Sequence, residues 1–198
     1  MKLILASGSK SRKAIFDMLG FKYEVLVSNV EENCKNDDFN EYVMELSKLK
    51  AHAVKNKVLP KKAIIISADS IICLGNKKFE KPKNKQEAYL NIKALSGKVN
   101  CALTGVTICD LYQNKELTFF DKTDVYFKKI EDSDIEWYVN HEEHLLERAG
   151  YSIADGNGAI FVDKIDGDFY TVVGMPVGKL YDNLKNLGYS ANDFCKPN

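Results

Sequence analysis

The sequence lacks a long hydrophobic run and an excess of charge of either sign. No segment approaches the ~20 consecutive apolar residues that span a bilayer, and residues 1–6 lack the apolar stretch of a signal peptide. Lysine and arginine number 28, as do aspartate and glutamate, so no net charge attracts duplex nucleic acid or an anionic membrane. We therefore expect a cytoplasmic protein with neither a nucleic-acid nor a membrane partner.

Cysteine is sparse, and its spacing shows no pairs. Five is an odd number, so the cysteines cannot all pair in disulfides, and no two of them form a Cys-x-x-Cys motif. This pattern fits reduced thiols in a cytosolic compartment and argues against a zinc ribbon. With 45% hydrophobic residues among 198, the chain can bury the core of one compact domain or of two lobes that share a core. We expect a single domain over residues 1–198.

The N-terminal turn is a candidate anion site. A short apolar strand over residues 3–6 leads into Ser7 and Ser9, and a helix carrying Arg12 and Lys13 follows. Free N–H groups at a helix start, together with hydroxyls and cations, favour a phosphate such as a triphosphate tail. Alternatively, a serine only caps the helix and the cations are solvated. The turn is not a Walker loop, because no Gly-Lys-Ser/Thr follows it.

Strand and helix patterns alternate early in the chain, and strands cluster late. This order predicts an α/β fold with a mixed, twisted sheet and flanking helices. The predicted strands cover residues 3–6, 22–28, 63–67, 101–112, 117–130 and 159–165. The predicted helices cover residues 12–19 and 86–95 and begin near residues 38, 133 and 176.

Four charged residues fall at the ends of predicted elements: Glu32, Lys50, Asp69 and Lys81. Phosphoanhydride hydrolysis needs carboxylates to hold a hard divalent cation and orient water, and cations to neutralise phosphoryl oxygens. Asp69 and Glu32 would meet the first need, and the lysines with Arg12 the second. Asp69 stands out because a carboxylate directly after an apolar strand is costly without a partner. The alternative for each is an ordinary surface charge, since 28% of the residues are charged.

Short motifs occur in a fixed order along nearly the whole chain. They are Leu5-Ala6-Ser7-Gly8-Ser9 with Arg12, Ala68-Asp69-Ser70-Ile71, Lys81-Pro82, Leu95-Ser96-Gly97, Thr104-Gly105-Val106, Ala149-Gly150, Ile165-Asp166-Gly167-Asp168 and Val172-Val173-Gly174-Met175-Pro176. Each is weak alone, but their shared order and spacing resemble the Maf family, the septum-formation-related nucleoside triphosphate pyrophosphatases.

That resemblance implies a fold, a reaction and a cofactor. The fold would be an elongated α/β structure of the Maf/Ham1 or inosine triphosphate pyrophosphatase type, with two lobes around a cleft. The reaction would convert nucleoside triphosphates to monophosphates and pyrophosphate with Mg²⁺, Mn²⁺ or a similar cation. A homodimer is expected from the resemblance alone.

The resemblance also assigns roles residue by residue. Asp69 matches the catalytic aspartate, and Glu32, with Glu31 as the adjacent alternative, matches the acidic residue that would share the metal. Lys50 and Lys81 match the paired catalytic lysines. The substrate-binding residues would be Ser7, Ser9, Arg12, Lys13 and Asp155.

One departure from the family pattern bears on the substrate. Asp155 stands where uridine- and thymidine-type members carry glutamine, and a carboxylate accepts hydrogen bonds but donates none. We expect house-cleaning hydrolysis of pyrimidine or modified nucleotides. The alternatives are a non-catalytic nucleotide-binding regulator of septum formation and a phosphatase that releases orthophosphate.

Overall fold

The computed structural model describes residues 1–58, 62–148, 150–154 and 156–195. Within these ranges the strands are β1 (Leu3–Leu5), β2 (Glu24–Val25), β3 (Ile64–Leu74), β4 (Lys77–Phe79), β5 (Val99–Asp110), β6 (Lys115–Phe127) and β7 (Val162–Asp166). The α-helices are α1 (Lys10–Met18), α2 (Phe39–Lys55), α3 (Lys85–Leu95), α4 (Asp132–His141), α5 (Phe169–Val173) and α6 (Val177–Asn186). None of the helices in the described ranges combines the length and apolarity that a membrane crossing requires.

The strands form one mixed sheet in the order β2-β1-β3-β5-β6-β7, and β4 pairs with β3 off this path. Strand β1 pairs in parallel with both β2 and β3. The pairs β3 with β4 and β6 with β7 are antiparallel. The predicted α/β fold with a mixed sheet and flanking helices is therefore confirmed.

The chain forms two compact units, each with its own apolar core. The first unit comprises Met1–Ser70, Thr104–Asp121 and Gly174–Asn198, and the second comprises Ile71–Leu103 and Lys122–Val173. Buried residues of the first core include Ile4, Ala6, Ala51, Val54, Ile65 and Cys109. Buried residues of the second include Ile92, Leu95, Phe127, Ile135, Tyr138 and Phe161. The cleft implied by the family resemblance stays a prediction.

Strand β3 is longer than predicted, which changes the position of Asp69. The sequence pattern ended this strand at residue 67 and placed Asp69 beyond it, but β3 continues to Leu74. Within the strand, the Asp69 carboxylate pairs with Lys50, and buried apolar residues follow it. The parallel partner β1 nevertheless ends at Leu5, opposite Ile66. Asp69 therefore still lies beyond the carboxyl end of β1.

Several other boundaries differ from prediction. The expected strand over residues 22–28 shrinks to β2, which pairs with the three-residue β1. The turn-rich stretch after residue 75 contains β4, and α5 was not predicted. Helix α4 begins at Asp132, one residue before the predicted start near residue 133. The predicted starts near Asp38 and Pro176 are confirmed.

Candidate functional site

The N-terminal turn is closed by its own serines. Ser7 Oγ accepts a hydrogen bond from the backbone N–H of Ser9 at 3.2 Å. Ser9 is the N-cap of α1, and its Oγ accepts from the N–H of Arg12 at 3.4 Å. Ser9 therefore caps the helix, as the alternative interpretation expects of one serine, and its role in binding substrate stays a prediction. The turn holds the start of α1 at the end of β1.

The guanidinium of Arg12 is held at three points. Its Nε donates to the carbonyl of Gly174 at 2.9 Å, Nη1 to Ser7 Oγ at 3.2 Å, and Nη2 to Ser70 Oγ at 2.9 Å. The Ser70 hydroxyl lies 2.8 Å from that of Thr104, to which it can donate while accepting from Arg12. These contacts fix the plane of the guanidinium before any ligand arrives.

Arg12 also lies in the electric field of two carboxylates. Burial lowers the pKa of its guanidinium, and the negative charges of Asp69 and Glu32 act in the opposite direction. An arginine stays protonated at neutral pH under such conditions. The fixed cation of the turn is therefore electrostatically coupled to the acidic residues on β3 and before α2.

Lys50, on α2, bridges the two acidic residues that the sequence singled out. Its Nζ lies 2.6 Å from Asp69 Oδ1 and 2.9 Å from Glu32 Oε1. The side chains of Lys50 and Asp69 are 13% and 10% exposed, whereas that of Glu32 is 53% exposed. Glu31 instead accepts a hydrogen bond from Asn33. The structure therefore joins Glu32, Lys50 and Asp69 in an ion-pair network, in which Asp69 is buried and Glu32 is exposed to solvent.

The donor chemistry of Asp69 and Glu32 fits a hard divalent cation. Their oxygens converge on one cationic centre, the Lys50 ammonium, and carboxylate oxygens are the ligands that Mg²⁺ prefers in proteins. An ion held by both carboxylates would require that ammonium to shift toward another anion.

Lys81 and Lys13 have other surroundings, and a third predicted site residue is not described. Lys81 belongs to the second unit, where it is exposed between β4 and α3. Lys13 lies on α1, and its carbonyl accepts a hydrogen bond from the Tyr23 hydroxyl. Asp155 lies outside the described residues, so its role stays a prediction.

Three residues near Arg12 were given no role at the sequence level. Ser70, Thr104 and Gly174 all lie within the motifs quoted above, which was the available signal. Gly174 has φ of 112°, and a Cβ there would lie 3.4 Å from Ser70 Oγ. Glycine at this position therefore supplies both the backbone conformation and the room for its carbonyl to meet Arg12.

Helix α2, which carries Lys50, packs unusually close to β5. A Cβ at Gly105 would lie 2.3 Å from the carbonyl oxygen of Val43, so only glycine fits. Buried hydroxyl groups also hold α2 on the sheet. Ser47 Oγ lies 2.8 Å from Thr107 Oγ1 on β5, and Ser67 Oγ on β3 donates to the Ser47 carbonyl at 2.6 Å. This packing fixes the distance between the sheet and Lys50 on α2.

Comparison with known proteins shows the family to which the chain belongs. The family model described as "Maf-like protein" matches residues 2–187. The chain belongs to the Maf family. A protein of Thermoanaerobacter sp. (strain X514), named dTTP/UTP pyrophosphatase, is 41% identical over 185 residues, which cover 93% of this chain and 96% of the relative. A protein of the same name from Bacillus pumilus (strain SAFR-032) is 38% identical over 188 residues, 94% of this chain and 97% of the relative.

A solved structure was also matched. The Staphylococcus aureus Ham1 protein aligns with a TM-score of 0.47 and 13% identity, covering 65% of this chain and 73% of that chain. The Maf assignment rests on the family model and the sequence relatives, and the resemblance stated from short motifs is confirmed by them.

Proposed function

We propose that this Maf protein is a cytoplasmic nucleoside triphosphate pyrophosphatase that acts on pyrimidine or modified nucleotides, with residues 1–198 as one catalytic domain that forms a homodimer. The family and its relatives named dTTP/UTP pyrophosphatase support the reaction and the base class. The observation that carries the proposal is the Glu32–Lys50–Asp69 ion-pair network beside Arg12, whose guanidinium is held by three hydrogen bonds.

The reaction is an in-line attack of water on the α-phosphorus. The water oxygen bonds to phosphorus, the bond from the α-phosphorus to the bridging oxygen breaks, and pyrophosphate leaves. Asp69 accepts the proton of the attacking water as general base. Its carboxylate is shielded from bulk water and oriented by Lys50, which keeps the accepting oxygen in one place.

To bind the triphosphate, the site needs positive charges and hydrogen-bond donors for the phosphate oxygens. Arg12 supplies a rigid fork, which suits two phosphate oxygens, and the positive end of the α1 dipole favours an anion at the same turn. Lys50 neutralises charge that develops on the phosphoryl oxygens. The remaining members of the binding set are Ser7, Ser9, Lys13, Lys81 and Asp155.

Asp69 and Glu32 would hold a divalent cation, Mg²⁺ or Mn²⁺. When bound, that ion neutralises phosphate charge and lowers the barrier to attack. Glu32 is the more exposed of the two carboxylates, so it can turn toward an arriving ion while Asp69 stays in place.

The proposal is tested by identifying the product released from dTTP, UTP, CTP, ATP, GTP and modified nucleotides. Each nucleotide is assayed with Mg²⁺ or Mn²⁺ and again with a chelator. We expect pyrophosphate from the pyrimidine or modified nucleotides only when the metal is present. Tight nucleotide binding without turnover would replace the proposal with the regulator of septum formation. Orthophosphate as the first product would replace it with a phosphatase.

Arg12→Lys tests the anchored guanidinium. The substitution keeps the charge but loses the fork held by Gly174, Ser7 and Ser70, so we expect kcat/KM to fall by about 10- to 100-fold. Steady-state kinetics on the best nucleotide measure this. Lys93→Arg is the control, because it exchanges the two cations in the opposite direction at an exposed ion pair with Asp132, and it should retain full activity. Equal activities of the two variants would remove Arg12 from the phosphate site.

A further inference from the structure

A group of three side chains outside the proposed active site brings together donor atoms suited to a metal. His52 Nε2 lies 2.7 Å from Glu116 Oε2, and Cys109 Sγ lies 3.5 Å from the same oxygen. All three donor atoms lie within 4.8 Å of one another. We propose that His52, Cys109 and Glu116 bind a transition-metal dication such as Zn²⁺.

The donor set selects the class of ion. Imidazole nitrogen, thiolate sulfur and carboxylate oxygen are zinc ligands at about 2.0–2.3 Å, and three protein ligands leave a fourth position for water. The thiolate discriminates against Mg²⁺ and Ca²⁺, which prefer oxygen alone. A thiolate and a carboxylate together balance the two charges of the ion.

The scaffold holds these ligands on three regular elements. His52 lies on α2, Cys109 on β5 and Glu116 on β6, and β5 and β6 are neighbours in the sheet. Cys109 is fully buried in the apolar core of the first unit, whereas the His52 and Glu116 side chains are 44% and 26% exposed. The site therefore has an apolar floor and an open side for ion entry.

Lys48 is the competing cation. Its Nζ lies 3.5 Å from Glu116 Oε1, the oxygen that does not face His52 and Cys109. Its side chain is 53% exposed, so it can turn into solvent when an ion binds. The Cys109 thiol loses its proton to the solvent as the metal–sulfur bond forms.

This site is separate from the proposed active site. Lys50 precedes His52 by two positions on α2, and residues two apart on a helix do not share a face. Lys50 contacts Asp69 and Glu32, whereas His52 contacts Glu116. Loss of the metal site and loss of the proposed catalysis are therefore distinguishable.

Titration of the reduced full-length protein with Co²⁺ tests the proposal. We expect one equivalent to produce a thiolate-to-cobalt charge-transfer band in the near ultraviolet and the visible bands of a tetrahedral ion, both removed by Zn²⁺ but not by Mg²⁺. Cys109→Ala should lose the charge-transfer band, and Glu116→Gln should weaken Co²⁺ binding more than about tenfold.

Cys34→Ala is the matched control, because the Cys34 thiol also donates to a carboxylate, that of Glu45 at 2.8 Å. This variant should bind Co²⁺ as the unsubstituted protein does. The proposal is overturned if the unsubstituted protein shows no charge-transfer band, or if the band survives in Cys109→Ala. If Cys109→Ala fails to fold, undiminished binding by Glu116→Gln overturns it equally.

Discussion

Asp69→Asn is expected to lower kcat for pyrophosphate release by about 10²- to 10⁴-fold, because the amide cannot accept the proton of the attacking water. The protein should stay folded, since Lys50 keeps its ion pair with Glu32 at 2.9 Å. The measurement is steady-state pyrophosphate release at saturating nucleotide and metal, with circular dichroism as the check on folding.

Asp132→Asn is the matched control for Asp69→Asn. Asp132 also pairs with a lysine, Lys93, at 2.7 Å, but this ion pair is exposed on the surface of the second unit. Its removal should leave kcat unchanged and barely change the urea midpoint, because exposed ion pairs contribute little to stability. Full activity of a folded Asp69→Asn protein would rule out Asp69 as the general base.

Gly105→Ala is expected to lower the free energy of unfolding by about 3 kcal/mol. The new Cβ would lie 2.3 Å from the Val43 carbonyl oxygen and 2.4 Å from its carbon, and both are backbone atoms that no rotamer change can move aside. Helix α2 must shift as a whole, which also displaces Lys50 from Asp69. Urea unfolding and pyrophosphate release should therefore both be impaired.

Gly178→Ala provides the contrast for Gly105→Ala. Gly178 lies in α6, and a Cβ there meets nothing within 4 Å. We expect the free energy of unfolding to rise by about 0.5–1 kcal/mol, because alanine loses less conformational entropy than glycine when the helix forms. If the two substitutions have the same effect on urea unfolding, α2 does not pack on β5 as closely as described.

The fold class could be predicted because strand and helix patterns are strong where residues are fully buried. The apolar run before Ser67 marks β3, and the spacing of Leu180 and Leu184 marks α6. Element ends were less predictable, because they depend on partners distant in sequence. Strand β3 runs on through Asp69, whose carboxylate pairs with Lys50 from α2, a contact that the strand's own sequence does not reveal.

The candidate site was partly visible in the sequence. The sequence pattern selects Glu32, Lys50 and Asp69, which lie together in the structure. Of the three anchors of Arg12, the sequence analysis names Ser7 but gives no role to Ser70 or to the Gly174 carbonyl. A backbone acceptor from far along the chain carries no side-chain signal, so only the tertiary structure shows it.

In the proposed mechanism, water attacks the α-phosphorus. Turnover of dTTP or UTP in water labelled with heavy oxygen, followed by mass spectrometry of both products, shows which phosphorus is attacked. We expect the label only in the nucleoside monophosphate, with the pyrophosphate unlabelled. Label in pyrophosphate, or in released orthophosphate, would rule out attack at the α-phosphorus.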